Sequence, residues 1–378
     1  MSNFYRTKNS TGLINKNKKI NFSFNGHTYH GYEGDTLASA LISNGIHLIG
    51  RSFKYHRPRG FLGVGVEEPN AMVQLHEGNK SEPNIMATEV ELVEGLKAKS
   101  QNCWPSVQFD VGEVNNLLNR FFPAGFYYKT FMWPKSFWMK IYEPFIRKAA
   151  GMGVAPLQPD PDRYEHNYEH CDVLVVGSGP SGLASALAAA KNGARVILAE
   201  DKANFGGSLL TDEVTIGNMS GKEWANDTVA QLKSLPNVIL KKRSQVFGYY
   251  DHNMTVMIER VSDHQENPSK YTPRQRLHYI RAGEVIVSTG SIERPISFGN
   301  NDRPGILLAS AAKEYMTVYE TLVGKKPIIF TNNDTAYSTA LEFLKNDIVP
   351  VILDTRNNSN GELVKEVKQK GVNIRFNS

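Results

Sequence analysis

Apolar residues alternate with polar ones through Ile20, Phe22 and Phe24, and the alternation resumes after Asn25–Gly26. This predicts a β-hairpin closed by a tight turn, since Asn and Gly accept the left-handed backbone that such turns require. Leu37, Leu41 and Ile42 then fall at helical spacing; Asp35 or Thr36 can cap that helix, and Gly45 can end it in a left-handed conformation. A short apolar run at Val173–Val176 predicts a buried strand, followed by an Ala-rich helix and a second strand, Arg195–Ala199. "SQVFGYYDHNMTVMIERV" and "RLHYIRAGEVIVSTG" read as hairpin strands joined by a polar loop. Strand, turn, helix and strand recur in "KKPIIFTNNDTAYSTALEFLKNDIVPVILDTR", which ends at the acid Asp354, and "GELVKEVKQKGVNIRFNS" adds a helix and one more strand.

Both periods fail between these blocks. Residues 107–165 are dense in aromatics, and prolines at 123, 134 and 144 keep any helix short. The segment is expected to be a packing arm that wraps other domains, with part of its surface buried against a partner subunit. His166 and His170 follow at i, i+4 spacing, but the Pro/Asp-rich setting without thiolates favours linker residues over a metal site. The expected divisions are 18–106, 107–170, 171–310 and 311–378, an α/β organisation throughout. The last piece has fewer strands than a doubly wound sheet needs. The chain is therefore expected to be truncated, or completed by something outside it.

Composition narrows the class. The 378 residues are 40% hydrophobic, enough for real cores, and the net charge of +5 is far from that of a nucleic-acid-binding arm. The basic run Arg51–Arg59 is expected at a domain or subunit interface rather than on nucleic acid. Two cysteines, Cys103 and Cys171, exclude a disulfide framework. The first residues lack the apolar core of a secretory signal, and no run reaches the ~18 apolar residues of a membrane span. A cytoplasmic protein with no membrane partner is expected.

The sharpest chemistry lies in "CDVLVVGSGPSGLASALAAAKNGARVILAED". Gly177, Gly179 and Gly182 form G-x-G-x-x-G, with a strand before, a helix after and Glu200 ending the next strand. The first glycine permits the tight turn, the second lets backbone approach a pyrophosphate, and the third lets helix pack on strand. The helix N-terminus offers free N–H groups to phosphates. Glu200 can accept hydrogen bonds from ribose hydroxyls, and its charge should reject a 2′-phosphate. Gly206–Gly207, just beyond the acid, and Thr289–Gly290, after a buried strand, allow main chain near a nucleotide. The second unit replaces its glycines with Thr331–Ala336. Asn there can supply the left-handed conformation, but a degenerate, structural dinucleotide fold is favoured over an occupied site. No Ser/His/Asp order, C-x-x-C or metal cluster is present, so no catalytic residue is assigned and no metal is expected.

"RPRGFLGVGVEEPNAMV" resembles the ligand loop of a plant-type [2Fe–2S] domain, and hairpin followed by helix is how a β-grasp ferredoxin begins. Against C-G-x-G-x-C-x-x-C, however, Leu62, Glu67 and Asn70 stand at the thiolate positions, so a β-grasp domain without a cluster is expected. "FGGSLL" and "STGSIERP" resemble glutathione-reductase-like flavoproteins with two dinucleotide-binding domains, the second incomplete here. With "RSFKYHRPRG", "RFFPAGFYYKTFMWP", "NDRPGILLASAAKEYM" and "FTNNDTAYSTAL", the chain from about residue 18 to its end resembles the N-terminal portion of the α subunits of bacterial heterotetrameric sarcosine oxidase. That resemblance implies oxidative demethylation of sarcosine to glycine, with oxygen and tetrahydrofolate giving hydrogen peroxide and methylene-tetrahydrofolate, and β, γ and δ partner subunits. It implies NAD on this chain, without a redox role, and FAD, FMN and tetrahydrofolate elsewhere in the assembly. This portion by itself is expected to be inactive. Carried over by motif, Ser181 contacts pyrophosphate, Glu200, Asp201 and Lys202 surround the adenosine ribose, and Gly207, Ser208, Val246, Thr289 and Gly290 line the site. The competing readings are an FAD-dependent amine or opine oxidoreductase subunit and a scaffold that binds no nucleotide.

Overall fold

The computed structural model describes residues 5–8, 12–121, 125, 131–149 and 151–378. Pro123 and much of the "FFPAGFYYKT" stretch lie outside them. The chain forms two compact units, one of residues 1–160 with 293–378 and one of residues 161–292.

The first unit opens with β1 (Asn15–Phe24) and β2 (His27–Glu33), paired antiparallel. Asn25 and Gly26 both take positive φ, so the turn is of the expected kind. Of the two candidate caps Thr36 is the one used: it shares a reciprocal capping box with Ser39 at the start of α1 (Leu37–Ser43). Asp35 instead accepts from Tyr32 N–H, Ser39 Oγ and the Arg6 guanidinium. Gly45 ends the turn at φ +78°. Strands β3 (Met72–Leu75), β4 (Glu82–Met86) and β5 (Leu96–Ser100) complete a five-stranded sheet of order β2-β1-β5-β3-β4, with β1 and β5 parallel. The helix α1 is buried along its whole length, and Phe22 and Phe24 are buried with it.

In the described part of the aromatic arm, Phe131 and Tyr142 are half-buried with ring centroids 5.1 Å apart, while Trp133 is 83% exposed and Phe109, Phe121 and Phe145 are likewise exposed. Its ordered elements are short, ending with a helix at Glu143–Ala149.

The second unit is built on β6 (Tyr164–Val176), α2 (Pro180–Lys191), β7 (Val196–Ala199), α3 (Gly221–Ser234), β8 (Val238–Lys241), β9 (Ser244–Tyr250), β10 (Met254–Arg260) and β11 (Gln275–Val287). The six strands lie in the order β8-β7-β6-β11-β10-β9. Pairing is parallel from β8 to β11 and antiparallel from β11 to β9. His166 and His170, expected in a linker, sit instead in β6, because residues 164–176 pair in register with the long strand β11. One core packs α2 and α3 on the sheet around Leu183, Ala186, Leu198 and Leu232; the other face is closed around Leu174, Ile197, Met257 and Ile280.

The chain returns to the first unit through α4 (Ala309–Thr317), β12 (Ile328–Thr331), α5 (Thr335–Lys345), β13 (Val351–Asp354), α6 (Glu362–Gln369) and β14 (Asn373–Phe376). The three strands are parallel in chain order, as strand–helix–strand periodicity predicts. The turn at 331–336 contains no residue with positive φ. Side chains close it instead: Asn333 N–H donates to Thr331 Oγ1 and Thr335 N–H to Asn333 Oδ1.

Candidate functional site

The glycine turn joins β6 to α2. Gly177 has φ +95°, and a Cβ there would lie 2.4 Å from the Ser288 carbonyl oxygen, so glycine is required both by conformation and by space. A Cβ on Gly182 would fall 1.9 Å from the Gly177 oxygen, which is how the helix packs tight on its own turn. Gly179 differs: its φ is −66° and a Cβ would meet nothing within 4 Å. Its role is to leave space in front of the helix. It is also the N-cap and offers no side-chain cap, so the N–H groups of the first turn, where Ser181 stands exposed, remain for a ligand. Gly207, at φ +52°, presses on this turn; a Cβ on it would lie 2.8 Å from Gly179 Cα. Thr289 and Gly290 are exposed just beyond Ser288, whose N–H donates to the Val176 carbonyl at 2.7 Å.

Glu200 ends β7 and is 5% exposed. Its Oε2 accepts from Ser178 N–H at 3.0 Å and from Ser178 Oγ, and its Oε1 accepts from Lys202 N–H at 3.0 Å. Burial, reinforced by neighbouring Asp201, pushes the carboxyl up to about 7 against the pull of the Ser178 and Lys202 donors. The acid thus holds the glycine turn from beneath, and a ribose would have to share an already bonded carboxylate. Ser178 is fully buried, and its carbonyl and hydroxyl both accept from Gly206 N–H, which ties Glu200, the turn and the Gly206–Gly207 segment into one piece. Sequence reasoning missed Ser178 and Ser288, because the spacer positions of the motif carry no residue signature. Asp201 and Lys202 are half-buried, and Ser208 is exposed in a short helical turn. Ser244 N–H donates to the Glu200 carbonyl at 2.7 Å and Arg243 N–H to that of Lys202 at 3.1 Å. That pairing brings Val246 alongside, where it packs against the core holding Ile197 and Ala199. The residues proposed from sequence therefore converge on one edge of this unit.

A second organised loop lies in the first unit. Glu68 is buried and accepts four backbone hydrogen bonds, from Leu62 and Gly63 on Oε2 and from Asn70 and Ala71 on Oε1, at 2.6–3.0 Å. Glu67 Oε1 accepts from Val64 and Gly65. Burial pushes the Glu68 carboxyl up while the four N–H groups pull the other way. The loop docks on α4, where Leu308 N–H donates to the Leu62 carbonyl and the buried Tyr315 hydroxyl to that of Gly63. Arg51 and Arg57, from the basic run, serve the same unit: Arg51 donates to the Val107 and Gln108 carbonyls, and Arg57 to Asp302.

These features define the class first: an α/β chain that joins a ferredoxin-like module to a domain of the dinucleotide-binding kind. Residues 17–103 match the family model described as "2Fe-2S iron-sulfur cluster binding domain", and residues 172–247 the one described as "FAD dependent oxidoreductase". The chain is 50% identical to sarcosine oxidase subunit alpha of Rhizobium meliloti (strain 1021) over 343 residues, 90% of this chain and 35% of that protein. It is 33% identical to the subunit of the same name from Corynebacterium sp. (strain P-1) over 348 residues, 91% of this chain and 31% of that one. The chain is thus a homologue of the sarcosine oxidase α subunits and spans about a third of their length. Among solved structures, L-proline dehydrogenase from P. horikoshii shares the fold with a TM-score of 0.61 and 19% identity, over 95% of this chain and 57% of that one.

Two cofactor expectations are corrected by these matches. NAD was expected at the glycine turn, but the model covering that turn is of an FAD-dependent family. A glycine turn and strand-end acid of this kind match the adenosine diphosphate half that both dinucleotides share, so the sequence could not distinguish them. The first domain was expected to be a ferredoxin-like domain without a cluster, yet the family it matches is described as cluster-binding. The loop's own donors are the carboxylates of Glu67 and Glu68, already engaged with backbone, and the Cys103 thiol is pushed up by burial and Asp110. These side chains do not fit the thiolate set of such a cluster, and no chemical step below runs through one. Among the described residues no helix is long and apolar enough to cross a membrane.

Proposed function

We propose that this chain is the FAD-holding portion of an oxidoreductase of the sarcosine or opine oxidase type. The observation that carries the reading is the open space at Gly179 in front of an uncapped helix N-terminus, within the stretch that matches an FAD-dependent family. The glycine turn takes the pyrophosphate, with first-turn N–H groups donating to it, and Gly207 lets main chain pass close by. Glu200 takes the adenosine ribose by turning part of its hydrogen bonding from Ser178 to the sugar hydroxyls, with Asp201, Lys202, Ser208 and Val246 around it. When bound, FAD supplies the two-electron acceptor; this chain's residues bind and orient it.

The reaction proposed for the whole enzyme is oxidation of sarcosine to glycine with oxygen as acceptor, supported by the identity to the sarcosine oxidase α subunits. Partner β, γ and δ subunits and a cytoplasmic location belong to the same proposal. The exposed aromatics of the arm are the surface such partners would cover. The two parallel strand–helix units, at Gly177 and at Thr331, support a glutathione-reductase-like plan in which the second unit is structural. The test is titration of purified chain with FAD, followed by flavin fluorescence and the visible spectrum. Saturable binding with a perturbed flavin spectrum is expected; a chain that leaves FAD free in solution overturns the assignment.

A further inference from the structure

A cavity lies in the ferredoxin-like module. It measures about 200 Å³ and is lined by Arg59, Phe53, Asn70, Met72, Gln101 and Asn102, among others. On the scale of a water's ~30 Å³ share of liquid volume it has room for about seven waters, or for one compound of a few carbon atoms.

The arginines beside it outnumber the carboxylates bonded to them. Arg57 and Arg59 share a single carboxylate, Asp302: Arg57 binds it through Nε and Nη2 at 2.7 Å, and Arg59 through Nη1 alone. Asp302 is held well below the usual carboxylate range, first by Arg57 and then by Arg59, so it stays ionised and neutralises only one of them. Arg51, also in the lining, has its own partner in Glu113 at 3.0 Å. These three arginines thus share two bonded carboxylates, Asp302 and Glu113. Among the described residues the Nε and Nη2 groups of Arg59 have no hydrogen-bond partner, and neither does the side-chain amide of Asn70. Two neighbouring guanidinium N–H groups match the two oxygens of a carboxylate, and Arg59's charge, sharing Asp302 with Arg57, favours an anion. Phe53 and Met72 give the cavity an apolar side, and Asn70 can both donate and accept for a second polar group.

We infer that this cavity binds a small monocarboxylate compound of amino-acid or 2-oxo-acid size, with its carboxylate on Arg59 and its second polar group on Asn70. The inference is independent of the nucleotide reading, since it uses none of the residues of the glycine turn.

The experiment uses the full chain and saturation-transfer NMR with acetate and with glycine, and inorganic phosphate as competitor. Saturable binding of acetate or glycine is expected, weakened at least tenfold by Arg59→Gln and by Asn70→Leu. Arg59→Gln also loosens Asp302 and can disturb folding. Asn70→Leu keeps the backbone N–H that Glu68 accepts and leaves the fold intact, so it decides if the first variant unfolds. Three results overturn the inference: no binding of either probe up to tens of millimolar, binding unchanged in Asn70→Leu, or displacement by phosphate at concentrations below those at which acetate binds.

Discussion

Substituting Glu200 by Gln should make part of the second unit more stable above neutral pH, although it removes a charge from a buried hydrogen-bonding position. Burial and Asp201 raise this carboxyl from its ordinary 4.5 to about 7 in the folded protein. Between those values the native state binds a proton that the unfolded chain has released. The stabilising contribution is therefore fully present below pH 4.5 and is lost as pH rises through 7. A difference of this size corresponds to about 3 kcal/mol, or a change of roughly 300-fold in an opening equilibrium. Glutamine is isosteric with the protonated acid and does not titrate; it keeps an oxygen for Ser178. Hydrogen exchange of peptides covering residues 171–201, corrected for the intrinsic rate, reads the effect locally. Wild-type protection should fall between pH 5 and pH 8 while that of Glu200→Gln stays level, and at pH 8 the variant should be the better protected. A variant that keeps the wild-type slope would refute the assignment of the raised carboxyl to Glu200.

The glycines should separate into two kinds. Gly182→Ala places a Cβ 1.9 Å from the Gly177 oxygen and should cost about 3 kcal/mol or more in thermal unfolding. Gly179→Ala meets open space at an ordinary φ; it should leave stability within about 0.5 kcal/mol while lowering FAD affinity at least tenfold. Glu68→Ala leaves four backbone donors of the 62–71 loop without their acceptor and should cost about 3 kcal/mol or more, seen as fast exchange of those amides; slow exchange in the variant would mean that Tyr315 and Leu308 hold the loop unaided.

What the sequence determined by itself is what lies within a few tens of residues and repeats with a fixed period. The Asn25–Gly26 turn, the helix start at Asp35 or Thr36, the Gly177–Gly182 turn with Glu200 at the next strand end, and the parallel unit from Ile328 to Phe376 are of this kind. Each is specified by backbone conformation or by alternation of apolar positions, so it is legible without a partner. Three matters were decided only by tertiary structure. His166 and His170 entered a strand because β11, more than 100 residues later, supplied the pairing that a Pro/Asp-rich local sequence did not announce. Arg57 and Arg59 found one carboxylate, Asp302, some 245 residues away. Glu200 turned its carboxylate onto Ser178, a spacer between two glycines. The strand is held by backbone pairing, the arginines by charge complementarity and Glu200 by burial beside its donors, and in each case which complement arrives depends on how distant segments pack rather than on the residues next to it.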